Sequence, residues 1–260
     1  MKIIAVGPGN SAEWFFNQKN LNIPSDVKTL AFHRVYPVIK NSFDYWTWTD
    51  PHAAIDGLDA YIKQKEKKLL PKIIVPFWMK TIFLQKKYGG TSPLHSDLNK
   101  CLFYDQTINY LNKQGSIHFI ENAVSTKHIP SDDLVFSDPQ LRFNKKVYFG
   151  TVPCDAIHSD SNWAKENKFT IQILPICHYL GASEVYSIGF DNQGTGIQRN
   201  IPQFHNDQSI IESSMKKYST WINVFSKFHK MKIFNLIPNQ FTQLNKIMKY
   251  KNIEDLKWIK

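Results

Sequence analysis

The chain has 260 residues, of which 42% are hydrophobic and 14% aromatic. This composition excludes intrinsic disorder and is enough for one α/β domain with its own core. No apolar run approaches the roughly 20 residues of a membrane span, and Met1-Lys-Ile-Ile-Ala-Val is too soon interrupted by Gly7-Pro8-Gly9 to read as a signal peptide. The formal net charge is +10, and Cys101, Cys154 and Cys177 are widely spaced with no CxxC, the pattern expected of reduced thiols in a cytoplasmic protein.

In chain order, Lys2 to Val6 predicts a first strand, followed by the tight turn Gly7-Pro8-Gly9-Asn10-Ser11. A helix is expected from Ala12, with Asn10 or Ser11 as its N-terminal cap. Val27 to Phe32 predicts the second strand and Phe43 to Trp48 the third. The third runs into Thr49-Asp50-Pro51-His52, where Asp50 or Pro51 would open a helix over Ala53 to Gln64. Lys72 to Pro76 is a fourth strand, Leu98 to Leu111 a helix, and Ile117 to Glu121 a short strand. Asp133 to Phe136 is ambiguous.

Further on, Ile173, Leu174, Cys177 and Leu180 recur at helical spacing, so Thr170 to Leu180 reads as a helix with Pro175 as a kink. Gly181 is its C-terminal glycine. Val185 to Ile188 is a buried strand that ends abruptly in Gly189-Phe190-Asp191. Gln208 to Lys230 predicts a long helix, Lys232 to Leu236 a strand, and Ile237-Pro238-Asn239 a turn. Strands alternating with helices imply a Rossmann-like domain spanning residues 1–260, with a mostly parallel sheet flanked by helices. Residues 191–205 would form a short lid loop and 240–260 basic aromatic helices.

Two turns lie at the carboxyl ends of strands, where open α/β sheets bind ligands. In the first, Gly7 and Gly9 would let phosphates approach the backbone, and the helix after Ser11 would favour an anion. In the second, Gly189, Phe190 and Asp191 point at the same kind of site. Asp50 leaves the third strand, where it either accepts hydrogen bonds from a ribose or base, or simply caps the next helix. His205, after the lid and before the long helix, has a residue type suited to general base chemistry near neutral pH. The remaining histidines show no metal-ligand spacing, and no Asp-x-Asp occurs, so no metal is expected.

The charge excess is C-terminal, with ten lysines from Lys216 onward against Glu254 and Asp255. Trp221, Phe225, Phe228, Phe234, Phe241, Tyr250 and Trp258 are interleaved with them. Such a mixture suits an anionic membrane surface or a nucleic acid. It equally suits a solvated lysine face on helices that pack a core.

Taken in order, these motifs resemble the bacterial sialyltransferases of the lipooligosaccharide type (glycosyltransferase family 42). Those open on a strand and a G-N-G-P-S turn, where this chain has Gly7-Pro8-Gly9-Asn10-Ser11. Their asparagine after the second strand corresponds to His33, and their Asn-Pro after the third to Asp50-Pro51. Their T-S-G helix start corresponds to Phe169-Thr170, and their L-G-Y-K-E-I-Y-L-S-G-I-D to the run Leu180 to Asp191. A histidine follows the lid, as His205 does, and C-P-N-S ends a later strand, as Leu236-Ile-Pro238-Asn239 does here. The segment from Leu180 to Asp191 also matches a wider group of motility-associated glycosyltransferases and pterin diphosphokinase-like proteins. The family's tyrosines after G-I-D are replaced by Asn192-Gln-Gly-Thr-Gly196.

The resemblance implies a GT-A-like fold and a metal-independent glycosyltransferase without a cofactor. A nucleotide-activated sugar, CMP-sialic acid or a related one, would be transferred to a glycan acceptor. His205 would be the base. Gly7, Gly9, Asn10, Ser11 and Thr170 would hold the nucleotide with Gly189, Phe190 and Asp191, while His33 and Asp50 would bind ribose or base. Cytoplasmic placement, association with the inner membrane face through the tail, and a homo-oligomer are the accompanying expectations. Two other readings remain open: an ATP- and Mg²⁺-dependent diphosphokinase using Asp191 and Asp207, and a non-catalytic protein that binds a membrane or nucleic acid.

Overall fold

A computed structural model describes residues 1–39, 42–48, 50–64, 70–87, 93–120, 173–191, 219, 222–223, 225–226, 230–240, 242, 244–256 and 258. In chain order these hold β1 (Lys2–Val6), α1 (Asn10–Phe16), β2 (Val27–Phe32), α2 (Val35–Val38), β3 (Tyr45–Thr47) and α3 (Pro51–Lys63). Next come β4 (Lys72–Pro76), α4 (Ile82–Lys87), α5 (Leu98–Lys113), β5 (Ile117–Ile120), α6 (Leu174–Tyr179), β6 (Glu184–Ile188), β7 (Lys232–Asn235) and β8 (Lys249–Tyr250). The chain has two compact units, Met1–Asp44 with Phe169–Lys260, and Tyr45–Lys168. Both are α/β, with parallel strands and flanking helices, as the alternation of elements predicts.

The unit formed by the two chain ends is built around β1. This strand pairs in parallel with β2 on one side (Lys2 opposite Val27) and β6 on the other (Lys2 opposite Glu184). From β6 the ladder continues to β7 and then to β8, giving the order β2-β1-β6-β7-β8. Ile3, Ile4, Ala5 and Val6 are all buried, which is why β1 reads as a continuous apolar run and not as an alternation. The tail belongs to this core. Trp258 is buried edge-on against Tyr186 at 5.2 Å, and Lys251 Nζ stands 3.8 Å over the Phe234 ring. Of the described tail aromatics, Phe225, Phe234 and Trp258 are interior side chains and Tyr250 is exposed.

In the Tyr45–Lys168 unit, β4 lies between β3 and β5, again in parallel. Trp46 and Trp48 are fully buried with ring centroids 4.5 Å apart. Trp48 Nε1–H donates to the Tyr104 hydroxyl at 3.0 Å, and that hydroxyl donates to the Met79 carbonyl at 2.7 Å. The Trp48 indole N–H and the Tyr104 hydroxyl are thereby both satisfied, as a dry interior requires.

Several boundaries differ from expectation, each for a local reason. β3 is shorter than residues 43–48. α1 starts at Asn10 with Gly9 at the cap, so neither Asn10 nor Ser11 caps it. Asp50 does cap α3, its carboxylate accepting from the His52 N–H at 2.9 Å. Pro175 opens α6 instead of kinking it, since a first-turn residue needs no N–H donor. The expected C-terminal helices are replaced by single 3-10 turns at Leu244–Lys246 and Glu254–Leu256 and by β8. Thr242 Oγ1 and Asn252 Oδ1 accept from the Leu244 and Glu254 amides at 3.1 and 3.2 Å, turn-forming bonds that compete with a helix. Asp133 to Phe136, the lid beyond Asp191, and residues 208–218 of the long helix lie outside the described residues. Positions 219, 222–223 and 225–226 of that helix are helical.

The end of α6 is a Schellman motif. The Ala182 N–H reaches the Cys177 carbonyl and the Gly181 N–H reaches that of His178, both at 2.9 Å, with Gly181 at φ +80°. A Cβ at Gly181 would meet nothing within 4 Å, so its cost is conformational alone. Gly181→Ala is expected to lower unfolding stability by about 1–2 kcal/mol, measured by denaturant titration.

Candidate functional site

β1 has β2 on one side and β6 on the other, so the order of strands reverses between β1 and β6. In open α/β sheets that switch point, at the carboxyl ends of the strands, is where ligands bind. Seven of the candidate residues converge there: Gly7, Gly9, Asn10 and Ser11 after β1, and Gly189, Phe190 and Asp191 after β6.

The two exits are stitched together. The Gly7 N–H donates to the Ile188 carbonyl at 2.8 Å and the Gly9 N–H to the Gly189 carbonyl at 2.7 Å. Gly189 N–H donates to Ser11 Oγ at 2.9 Å, and the Ser11 hydroxyl donates on to Asp191 Oδ1. The Ser11 N–H reaches Asp191 Oδ2 at 2.9 Å. Asp191 thus does for α1 what an N-cap side chain normally does, from 180 residues away in sequence.

This changes the meaning of the glycines. They were expected to make room for phosphate, yet the space beside them is filled by the chain itself. A Cβ at Gly7 would lie 2.5 Å from the Gly189 carbonyl oxygen and 2.8 Å from the Phe190 ring, and one at Gly9 would lie 2.6 Å from the Asp191 carboxylate. Gly189, at φ +76°, would drive a Cβ into the Gly7 carbonyl. The anion expected at the start of α1 is here the side chain of Asp191.

Asp191 is 3% exposed. Burial raises its pKa to about 6, against the lowering effect of the hydrogen bonds from Ser11 and the Asn10 N–H. Stripping water from the carboxylate outweighs three good donors. Beside it, Phe190 lies 6.2 Å from the Phe32 ring, and Phe32 stacks on His33 at 3.6 Å. His33 is buried at φ +53°, a conformation uncommon outside glycine that needs support from its surroundings.

Asp50 stands at the exit of β3 in the other unit, as the cap of α3. Thr170 and His205 lie outside the described residues, as do Lys168 and Arg199. Sequence reasoning missed a buried amide network at the exits of β6 and β7. Ser187 Oγ donates to Asn235 Oδ1 at 2.9 Å, and Asn245 Nδ2 donates to the Ile237 carbonyl at 3.0 Å and to Asn239 Oδ1 at 2.6 Å. Its one signal was a serine and an asparagine inside otherwise apolar strands. Among the described residues, no group of three or more His, Cys, Asp or Glu is placed to hold a metal ion.

No family model and no curated protein sequence matches the chain. Two solved structures are similar in fold. The sialyltransferase CST-II in complex with a trisaccharide acceptor and CMP shares 14% identity over 95% of this chain and 85% of that one, with a TM-score of 0.48. Monomeric CstII shares 12% identity over 97% of this chain and 89% of that one, with a TM-score of 0.42.

Two predictions follow from the stitched exits. The unfolded Asp191 carboxyl ionises near its ordinary 3.8 and the folded one near 6, so in between only the folded state keeps the proton. Stability is therefore highest below pH 4 as far as this group is concerned, and falls by about 3 kcal/mol as pH rises through 6. Asp191→Asn should flatten that fall in melting curves recorded across pH. Gly189→Ala combines the positive φ with a backbone collision and should cost about 3 kcal/mol or more in chemical denaturation, well beyond Gly181→Ala.

Proposed function

We propose that the protein is a glycosyltransferase that moves a sugar from a nucleotide-linked donor to a glycan acceptor without a metal ion. The observation that supports this reading is the convergence of Gly7–Ser11 and Gly189–Asp191 at the switch point between β1 and β6. Those two segments carry the sequence resemblance to the family 42 sialyltransferases, and they meet where an α/β sheet places its ligand. The donor is a CMP-linked sugar. Its nucleotide lies along the exits of β1 and β6, with Thr170 beside it and His33 supplying a polar contact to ribose or base.

The reaction is a direct displacement at the anomeric carbon. His205 takes the proton of the acceptor hydroxyl as the new C–O bond forms, and the bond to the nucleotide phosphate breaks with its electron pair leaving on phosphate oxygen. A neutral imidazole suits this task because its ordinary pKa lies near working pH. The leaving phosphate needs neutralisation, and Arg199 and Lys168 are the cations assigned to it. The enzyme would act in the cytoplasm.

Thermal-shift measurements with CMP, UDP, GDP, ADP and ATP, each with and without Mg²⁺, test the donor. CMP should raise Tm without metal, since a ligand at about 100 times its Kd stabilises by about 2.7 kcal/mol. A shift seen only with ATP and Mg²⁺ would replace this reading with the diphosphokinase. For the base, His205→Ala should keep the CMP shift and lose about 10²–10⁴-fold in transfer rate. Unchanged transfer would remove His205 from the mechanism.

A further inference from the structure

In the Tyr45–Lys168 unit, the turn that leads into α5 holds an imidazole with an unmet demand. His95 lies in the 3-10 turn Pro93–Ser96, which packs against α3 and α5. Its Nε2 is enclosed by protein and has no hydrogen-bond partner. Polar atoms shut away from water are otherwise paired, so an orphan of this kind needs a reason. The backbone around it is well held. Leu94 is buried, and its carbonyl accepts from the Asp97 N–H at 2.9 Å and from Cys101 Sγ at 3.0 Å. Asp97 in turn caps α5, its carboxylate accepting from the Lys100 N–H at 3.1 Å. The turn and the start of α5 are therefore one hydrogen-bonded piece with His95 inside it.

The charges that act on this piece come from three elements. Lys86 on α4 is exposed and repels a proton added to His95, whereas Asp50, the cap of α3, attracts one. On α5, Asp97 is paired with Lys100 at 2.9 Å, and the hydrogen bond from that lysine holds its carboxyl below the ordinary value, so it stays ionised from neutral to mildly acid pH. Asp105 is raised by burial and accepts from the Ile82 N–H at 2.8 Å. Burial holds His95 itself below its ordinary 6.5, with Lys86 acting in the same sense and Asp50 against both. An imidazolium has a donor on each nitrogen. Ionised in place, His95 would strand an N–H at the enclosed Nε2 and set a charge near Lys86. A neutral ring with its proton on Nδ1 avoids both.

We propose that His95 is an acid-operated latch. Neutral, the ring stays enclosed and the turn Pro93–Ser96 is closed on α3 and α5. Protonated, the ring moves out to water and the turn opens with the first turn of α5. Between 6.5 and the lower value of the closed form, the open turn takes the proton and the closed one does not. Closure is therefore strongest above 6.5 and weakens as pH falls. Asp191, in the other unit, responds in the opposite sense because its carboxyl is raised. The latch is independent of the proposed reaction, since it uses no residue of the β1 and β6 exits.

Amide hydrogen exchange of the full chain, corrected for the intrinsic rate at each pH, tests it. The readouts are the Asp97 and Cys101 amides, bonded to the Leu94 and Asp97 carbonyls. From about pH 7.5 to about pH 5 their protection should fall about tenfold or more, the size of effect expected for one stranded donor. His95→Gln cannot ionise and should keep its protection across that range, and its melting curve at neutral pH checks that it folds. Lys86→Gln, at an exposed site, should raise the His95 midpoint read by NMR and shrink the fall. Asp105→Asn should leave the fall in place. Protection that acid does not change in the wild-type chain, an equal fall in His95→Gln, or a fall abolished by Asp105→Asn would each overturn the proposal.

Discussion

The carboxylate of Asp191 sits where the first turn of α1 presents its N–H groups, and the geometry at the exits of β1 and β6 depends on that contact. Ser11 is its second half. It gives Asp191 both its N–H and its hydroxyl while accepting from the Gly189 N–H. One serine therefore satisfies a strand exit, a helix start and a buried acid together. The glycines are the condition for it, because side chains at positions 7, 9 or 189 would hold the two exits apart. Any ligand at this edge meets a surface whose inner layer is already filled by protein atoms.

That contact carries an electrostatic cost. A carboxylate out of water is unfavourable even among several donors, which is why burial is the dominant influence on Asp191. An asparagine there would keep one acceptor and turn an NH2 toward the other Ser11 donor, so only the acid accepts from both the N–H and the hydroxyl of Ser11. Buried acids of shifted pKa are over-represented in functional sites. The stacked pair Phe32 and His33, with His33 in the left-handed region, stands beside the same edge and adds a second departure from a relaxed structure.

How much of this was legible in the sequence depended on range. β1, β2 and β4 match their predicted limits because each is a continuous apolar run bounded by turn residues. Gly181 was legible because a helix C-terminus imposes its conformation locally. The tail was not, since lysines and aromatics in the same proportion serve a helix, a strand or a turn, and β8 exists only because β7 offers it an edge. The candidate edge, at the carboxyl ends of β1 and β6, was legible from strand exits alone. The role of its glycines was not, because the atoms that crowd Gly7 and Gly9 come from Gly189 to Asp191, and no local pattern records that approach. Asp50 had two readings, and the capping one is realised in α3.

The pairing of β1 with β6 also bears on how the chain is made. Lys2 lies opposite Glu184, and the Ser183 N–H donates to the Met1 carbonyl at 2.8 Å. During synthesis β1 and β2 can pair early, but the other edge of β1 has no partner until the β6 segment leaves the ribosome. An apolar strand, Ile3 to Val6, then waits with one row of backbone groups open until residues 184–188 are made. Such an edge is a template for pairing with other chains, and contacts this distant in sequence are slow to form. The protection of β1 is therefore a long-range property, completed only when residues 184–188 close its second edge.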